Sequence, residues 1–318
     1  MDNIELYCGD CLDVMKAIPD NSINLVLIDP PYNISKAEWD KWNTVEDYIE
    51  FMGRVLKEIE RILKPNGSFY FFHNDFLQIV ELQNWINKNT GFQFKQILVW
   101  NKRFNEASNK GFLDGFVETN GLRNYQKMVE YCLYYTFQDG ASFDKTKSKT
   151  ENFKSLRYYS KNLQDYIGLK LGQINKILGT RRAEHFFYHS STQWDLCTEE
   201  VYNLLIDNFN IDKWEEFRTY ESLREEYNSL RYTFNNQKIH HSVMNYEIDK
   251  KQGHITPKPV ELLEYIIKTS SNENDIILDC FMGSGSAGVA CKRTNRKFIG
   301  IEINEKYFEL AKKRIEEE

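Results

Sequence analysis

Asp29-Pro30-Pro31-Tyr32 is the segment of this chain best equipped for chemistry. It follows Ile23-Asn24-Leu25-Val26-Leu27-Ile28, an apolar run that reads as a buried parallel strand. Neither proline can donate to a sheet ladder, so the strand ends there. A carboxylate, exposed carbonyls and an aromatic face then stand together at a strand's carboxyl end, the edge where ligands bind in an open α/β sheet. Asp29 and the Pro30 carbonyl are two acceptors that can be aimed at the hydrogens of one amine. An amine attached to an aromatic ring is a poor nucleophile, because its lone pair is delocalised. Acceptors on both hydrogens draw the nitrogen toward sp³ geometry and free that pair. Tyr32 offers a face on which the ring can stack. The same four residues also suit an ordinary turn that caps a strand.

A second signal lies near the other end. Residues 275–279 read as a short strand, followed by Cys280-Phe281-Met282-Gly283-Ser284-Gly285-Ser286-Ala287-Gly288, a helix through Cys291 and a strand over Lys297–Glu302. The glycines let backbone pass close to a bound nucleoside. Glu302 stands where an acid would grip ribose hydroxyls. The loop is a literal G-x-G-x-x-G, so a nicotinamide dinucleotide is one reading. Against it, Phe281 and Met282 separate Asp279 from the first glycine, whereas a dinucleotide turn puts glycine almost directly after its strand. An acid at 279 better suits a phosphate-free cofactor with a cationic amino-acid end.

The tetrapeptide and the loop resemble the amino-methyltransferases of DNA, whose catalytic motif is Asp/Asn/Ser-Pro-Pro-Tyr/Phe. Their S-adenosylmethionine loop is written Asp-Pro-Phe-x-Gly-x-Gly-Thr; here Cys280 replaces the proline and Ser286 the threonine. The order, catalytic motif first and cofactor loop last, resembles the β group, a circular permutation of the common methyltransferase sheet. Permutation is tolerated where chain termini lie close at the surface. The resemblance covers 1–137 and 253–318. It implies an α/β fold, a Rossmann-like doubly wound mixed sheet, with S-adenosylmethionine as cofactor. Asp279, Phe281, Gly283, Gly285, Ser286 and Glu302 would surround that cofactor, and Asp10 would sit beside its adenine. Asp10 also reads as the N-cap of a helix over Leu12–Ala17.

His254-Ile255-Thr256-Pro257-Lys258-Pro259 resembles the family's His-Pro-Thr-Gln-Lys-Pro segment, departing at Ile255 and Pro257. It implies Lys258 as a cofactor contact; Thr256 and Pro257 also read as N-cap and first residue of a helix. The implied reaction is methyl transfer to N6 of an adenine taken out of the duplex. Asp29, Pro30, Pro31 and Tyr32 carry the catalysis, without a metal. In the family the Asp form leans to adenine and the Ser form to cytosine, so cytosine N4 is the alternative.

Residues 138–252 match no motif and read as an inserted, mostly helical target-recognition region. Across 141–190 ten basic residues stand against four acids. The whole chain, at net charge −6, does not advertise nucleic-acid binding, but a local basic face counts for more. Two short amphipathic stretches around Gly168, over 163–178, outline a helix-turn-helix. Arg157, Lys170, Gln173, Lys176, Arg181 and Arg182 are its candidate contacts to double-stranded DNA. A helical hairpin packed for stability is the plainer reading of the same residues.

The remaining elements alternate as an α/β sheet requires: a helix from Val45 to Leu63, a strand from Ser68 to Phe72, a helix from Phe76 to Lys88, and strands over Phe94–Trp100 and Val129–Phe137. Between the last two, 101–124 reads as a polar loop. Trp39, Trp42 and Trp100-Asn101-Lys102 flank the expected pocket. The six cysteines form no disulfide framework, and His240-His241 lacks further ligands for a metal. The N-terminus is acidic, and no apolar run reaches the roughly 18 residues of a membrane span. The expectation is a cytoplasmic protein, monomer or homodimer, with DNA as partner and a cognate restriction endonuclease encoded separately. A nicotinamide oxidoreductase and a non-catalytic DNA-binding regulator are remote alternatives, since both leave Asp29–Tyr32 without a role.

Overall fold

A computed structural model of the chain describes residues 3–33, 40–102, 129–138, 153–191, 193–235, 240–248 and 257–318. They fall into two compact units, Met1–Ala141 with Tyr232–Glu318, and Ser142–Arg231. The first unit opens with β1 (Ile4–Cys8), α1 (Cys11–Met15), β2 (Ile23–Ile28), α2 (Val45–Ile62), β3 (Leu63–His73), α3 (Phe76–Asn89), β4 (Gln93–Asn101) and β5 (Val129–Thr136). The second unit supplies α4 (Lys154–Ile167), α5 (Leu171–Leu178), α6 (Glu184–Phe187), α7 (Glu199–Phe209) and α8 (Tyr220–Leu230). The first resumes with β6 (Val243–Asn245), α9 (Val260–Ser270), β7 (Ile276–Asp279), α10 (Ser286–Arg293), β8 (Lys297–Glu302) and α11 (Glu305–Glu316).

The strands form one sheet in the order β1-β8-β7-β2-β3-β5-β4-β6. β5 runs antiparallel to β3 and β4; the other neighbours are parallel. Successive residues of a strand point to opposite faces, and β2 shows why its run is apolar throughout. Val26 and Ile28 pack with Tyr48, Val55 and Ile59 of α2, whereas Leu25 and Leu27 pack with Leu263 and Ile267 of α9. Thr44 starts α2 with a capping box closed by Asp47. The pairing of β2 with β7, Leu25 opposite Ile277 and Val26 opposite Leu278, sets the site. It brings Asp29 and Asp279 to the same edge although 249 residues separate them in sequence.

Several expectations shift. The helix expected from Pro257 starts at Val260, with Pro259 at its N-cap. A residue before proline is pushed out of the helical region, and Lys258 lies outside the helix; Thr256 lies outside the described residues. β3 reaches back to Leu63, and residues 64–67 enter as an irregularity between the Ile23/Leu63 and Leu25/Ser68 pairs. β5, which its place after the other strands would put at the sheet's far side, lies inside the sheet, between β3 and β4, and that edge is β6. Because β6 pairs with β4, residues 240–248 belong with the sheet, and the second unit ends at Arg231 instead of 252. The polar loop expected at 101–124 and Trp39 lie largely or wholly outside the described residues.

The second unit has its own core, in which Leu156, Leu163, Ile174, Phe186, Trp194, Tyr202 and Leu223 are buried together. Gly168 ends α4 at φ 70° and Gly179 ends α5 at φ 65°, the left-handed cap that glycine adopts without a Cβ penalty. The two helices expected around Gly168 are therefore present, the first starting earlier, at Lys154. Among the described residues no helix is long and apolar enough to cross a membrane.

Candidate active site

The turn after β2 is held from all sides. The N–H groups of Tyr32 and Asn33 both donate to Asp40 Oδ1 at 2.7 Å, and Gln78 Nε2 donates to the Tyr32 carbonyl at 3.0 Å. Asn33 takes φ 53°, a conformation asparagine tolerates, and its side chain accepts from the Trp42 N–H. Asp75 N–H donates to His73 Nδ1 at 3.1 Å, so Nε2 of a neutral ring carries the hydrogen. That nitrogen meets Tyr48 Oη at 3.0 Å, and the Tyr48 hydroxyl donates to the Pro31 carbonyl at 2.8 Å. Among the described residues none donates to the Pro30 carbonyl oxygen, which stays available to a ligand.

Asp29 is anchored at both oxygens. The Tyr32 hydroxyl donates to Oδ1, and Lys258 Nζ donates to Oδ2 at 2.5 Å. Burial, the Asp29 charge and the Glu130 charge all push the Tyr32 hydroxyl well above its ordinary range, so it remains a donor. Lys258 Nζ also lies 3.2 Å from Glu130 Oε2. Burial works against the Lys258 charge, but Asp29 and Glu130 outweigh it and raise its pKa. Burial likewise opposes the Glu130 charge, and Lys258 and Lys102 reverse that, holding its carboxyl below the usual range.

The turn opens on a cavity of about 340 Å³ shared with the glycine loop. Asp10, Asp29, Lys258, Asp279, Phe281, Gly283, Ser286 and Glu302 all line it, so the structure brings together the residues expected from both ends of the chain. Gly285 does not line it. At φ 77° it passes behind the loop, where a Cβ would come within 2.9 Å of Ala311 Cβ. Asp10 caps α1 by accepting from the Leu12 N–H at 2.8 Å, so its N-cap reading holds. Glu302 accepts from the Gly283 and Asn304 N–H groups, each at 2.8 Å, and thereby fixes the loop it faces. Ser286 Oγ accepts from Arg314 at 3.0 Å. Burial above all, helped by the Asp29 and Glu302 charges, pushes Asp279 up to about 8 against the Phe281 N–H.

Other expectations are redirected. Lys258, expected as a cofactor contact, places its ammonium between Asp29 and Glu130. Trp100 is buried, and its indole donates to the Tyr246 carbonyl; Lys102 pairs with Glu130 instead of standing free beside a base. Trp42 lines the cavity as expected, and packs on Tyr48 and Phe51. His240 pairs with the Tyr265 hydroxyl. In the second unit Arg157 is only 6% exposed and donates to the Ser191 carbonyl at 2.6 Å over the Trp194 ring, a packing role that withdraws it from a DNA face. Lys170, Gln173, Lys176, Arg181 and Arg182 are exposed, with Arg181 paired to Glu184 and Arg182 to Glu200. Asp40, Tyr48, His73 and Glu130 were not anticipated. Glu130 had a signal: it is a lone acid inside the otherwise apolar and aromatic run of β5.

A set of acids around a cavity of this size, with Asp279 and Glu302 buried, fits a nucleoside cofactor that carries a cationic amino-acid end. A permuted doubly wound sheet, with Asp-Pro-Pro-Tyr and a glycine loop facing one cavity, defines an S-adenosylmethionine-dependent amino-methyltransferase. The chain belongs to the N6/N4 DNA methylase family, whose model matches residues 23–313. It is 28% identical over 307 residues to the Type II methyltransferase M1.MboII of Moraxella bovis, covering 96% of this chain and 94% of that one. Its fold is shared by the PvuII DNA methyltransferase (cytosine-N4-specific), at 16% identity and TM-score 0.59 over 99% of this chain and 86% of the other. It is shared also by M1.HpyAVI in complex with S-adenosylmethionine, at 20% identity and TM-score 0.53 over 98% of each chain. The protein is a DNA methyltransferase using S-adenosylmethionine, and the nicotinamide and non-catalytic readings fall away.

Proposed function

We propose that the protein is a site-specific adenine-N6 methyltransferase acting on an adenine flipped out of double-stranded DNA. The observation that carries this is the placement of the Asp29 carboxylate and the free Pro30 carbonyl on the cofactor cavity. Bound S-adenosylmethionine supplies a methyl on a cationic sulfur, which keeps the carbon–sulfur pair on transfer. Asp29 and the Pro30 carbonyl accept from the two amine hydrogens, so the nitrogen lone pair is released from the ring and aimed at that methyl. Asp29 accepts the proton that the methylated nitrogen sheds. The face of Tyr32, held by His73 at a ring separation of 4.8 Å, stacks on the base. Asp10 and Glu302 hold the adenine and ribose of the cofactor, and Asp279 its cationic end. Holding both reactants in line supplies much of the rate.

The fold serves either base, since an enzyme named as cytosine-N4-specific shares it. The acid of the tetrapeptide favours adenine. Modified-base sequencing of DNA from a methylation-free host expressing the chain, with Asp29→Ala as control, tests the assignment. N6-methyladenine in one short motif, absent from the control, is expected; N4-methylcytosine would overturn the base. The relatives' names as Type II methyltransferases support a cognate endonuclease encoded separately.

Target recognition falls to the second unit, with Lys170, Gln173, Lys176, Arg181 and Arg182 on its exposed surface. Replacing Lys170 and Lys176 together by alanine should weaken DNA binding roughly tenfold and reduce the salt slope by about 2. The affinity for S-adenosylmethionine should stay unchanged. An unaltered salt slope would place the DNA elsewhere.

A further inference from the structure

We propose that Glu130 is a positioning residue for methyl transfer, acting through the Lys258 ammonium on the Asp29 carboxylate. The inference rests on the reading of Asp29 as the amine acceptor. A lysine 5% exposed is costly unless its charge is matched and its donors are used. Lys258 Nζ donates to Asp29 Oδ2 at 2.5 Å and to Tyr32 Oη at 3.3 Å, and its charge is matched by Glu130 Oε2 at 3.2 Å. Tyr32 in turn donates to the other oxygen of Asp29. The carboxylate is thus fixed by a closed ring of Lys258, Tyr32 and Asp29, with lone pairs left on both oxygens for the amine.

Glu130 keeps that ring usable. It comes from β5, is 2% exposed, and its second oxygen pairs with Lys102 at the end of β4. Charge alternates along Asp29, Lys258, Glu130 and Lys102, and the set is neutral. Glu130 Oε2 accepts no well-directed hydrogen bond, so its link to Lys258 is chiefly one of charge. As the amine takes up the methyl, positive charge moves onto its nitrogen, toward Lys258, until one proton leaves for Asp29. An ammonium beside that nitrogen opposes the change unless an anion offsets it. Glu130 is the buried anion that does so without occupying Asp29. Without it, Lys258 would bind Asp29 alone and compete with the amine for its oxygens.

Glu130→Gln keeps the shape and removes the charge. It should lower kcat about thirtyfold, less than the roughly hundredfold or more of a contact made directly to the reacting group, with KM for DNA within about threefold of wild type. Calorimetry with S-adenosylmethionine should give a Kd within about threefold as well. Because Glu130 acts through Lys258, the double variant E130Q/K258M should be no slower than Lys258→Met alone. It also removes a buried pair together, which is better tolerated than removing one partner. A kcat for E130Q within twofold of wild type would overturn the proposal. So would a double variant whose loss equals the product of the single losses, or an E130Q protein that loses cofactor affinity as much as rate. A D29A enzyme that still methylates DNA would overturn the amine-acceptor reading, and this inference with it. Strict dependence on Asp29 beside an indifferent E130Q would overturn this inference alone.

Discussion

Asp29→Ala should lower the single-turnover rate of methyl transfer by at least about a thousandfold and leave cofactor affinity within about threefold of wild type. The carboxylate sits at the end of β2 with both oxygens engaged by Tyr32 and Lys258, whereas the glycine loop proposed to hold the cofactor is shaped by Glu302, Gly283 and Asn304. Its loss therefore removes an acceptor for the amine without unmaking the cofactor site. The fold should survive, because Glu130 remains to compensate the buried Lys258. Single-turnover kinetics with calorimetry on the same sample check this. Retained turnover with lost cofactor binding would reverse the roles assigned to the two ends of the chain.

The second large effect concerns pH. Asp279 is held up at about 8, chiefly by burial and further by the charges of Asp29 and Glu302, so the ligand-free protein keeps it protonated at neutral pH. A cationic ligand end favours the ionised form, and binding then expels a proton. Affinity for S-adenosylmethionine should therefore rise with pH and level off above 8, by up to roughly fiftyfold between pH 6 and pH 8. Calorimetry in two buffers of different ionisation enthalpy counts the proton directly. Asp279→Asn should flatten the profile. The same group opposes folding in this window. The unfolded chain gives up the proton near 3.8, the folded chain only near 8, so stability falls as pH rises between those values. Asp279→Asn should then raise the melting temperature of the cofactor-free protein at pH 8. A Kd indifferent to pH would mean that Asp279 does not meet the cationic end.

Much of the site was legible because its signals are local. A proline pair ends a strand whatever surrounds it, and the glycine loop announces itself by spacing. Arg157 shows where such reading stops. Its charge suggested a DNA face, yet the fold buries it over Trp194, because α4 presents that position inward. The start of α9 is a milder case: Pro259 disfavours helix at Lys258, and the helix begins at Val260 rather than at Pro257.

The sequence by itself determined the two motifs, their order, the α/β alternation that carries them and the cofactor they imply. These depend on neighbours along the chain, through backbone preference and side-chain periodicity. Only the tertiary structure decided who meets whom. The β2–β7 pairing places Asp29 beside Asp279, and Lys258, just before α9, reaches Asp29 across 229 positions. Glu130 becomes part of the site only because β5 lies between β3 and β4, with Lys102 at the end of β4. A buried charge takes its meaning from the partner that neutralises it, and here the partners come from distant parts of the chain, Glu130 by strand pairing and Lys258 from the segment before α9.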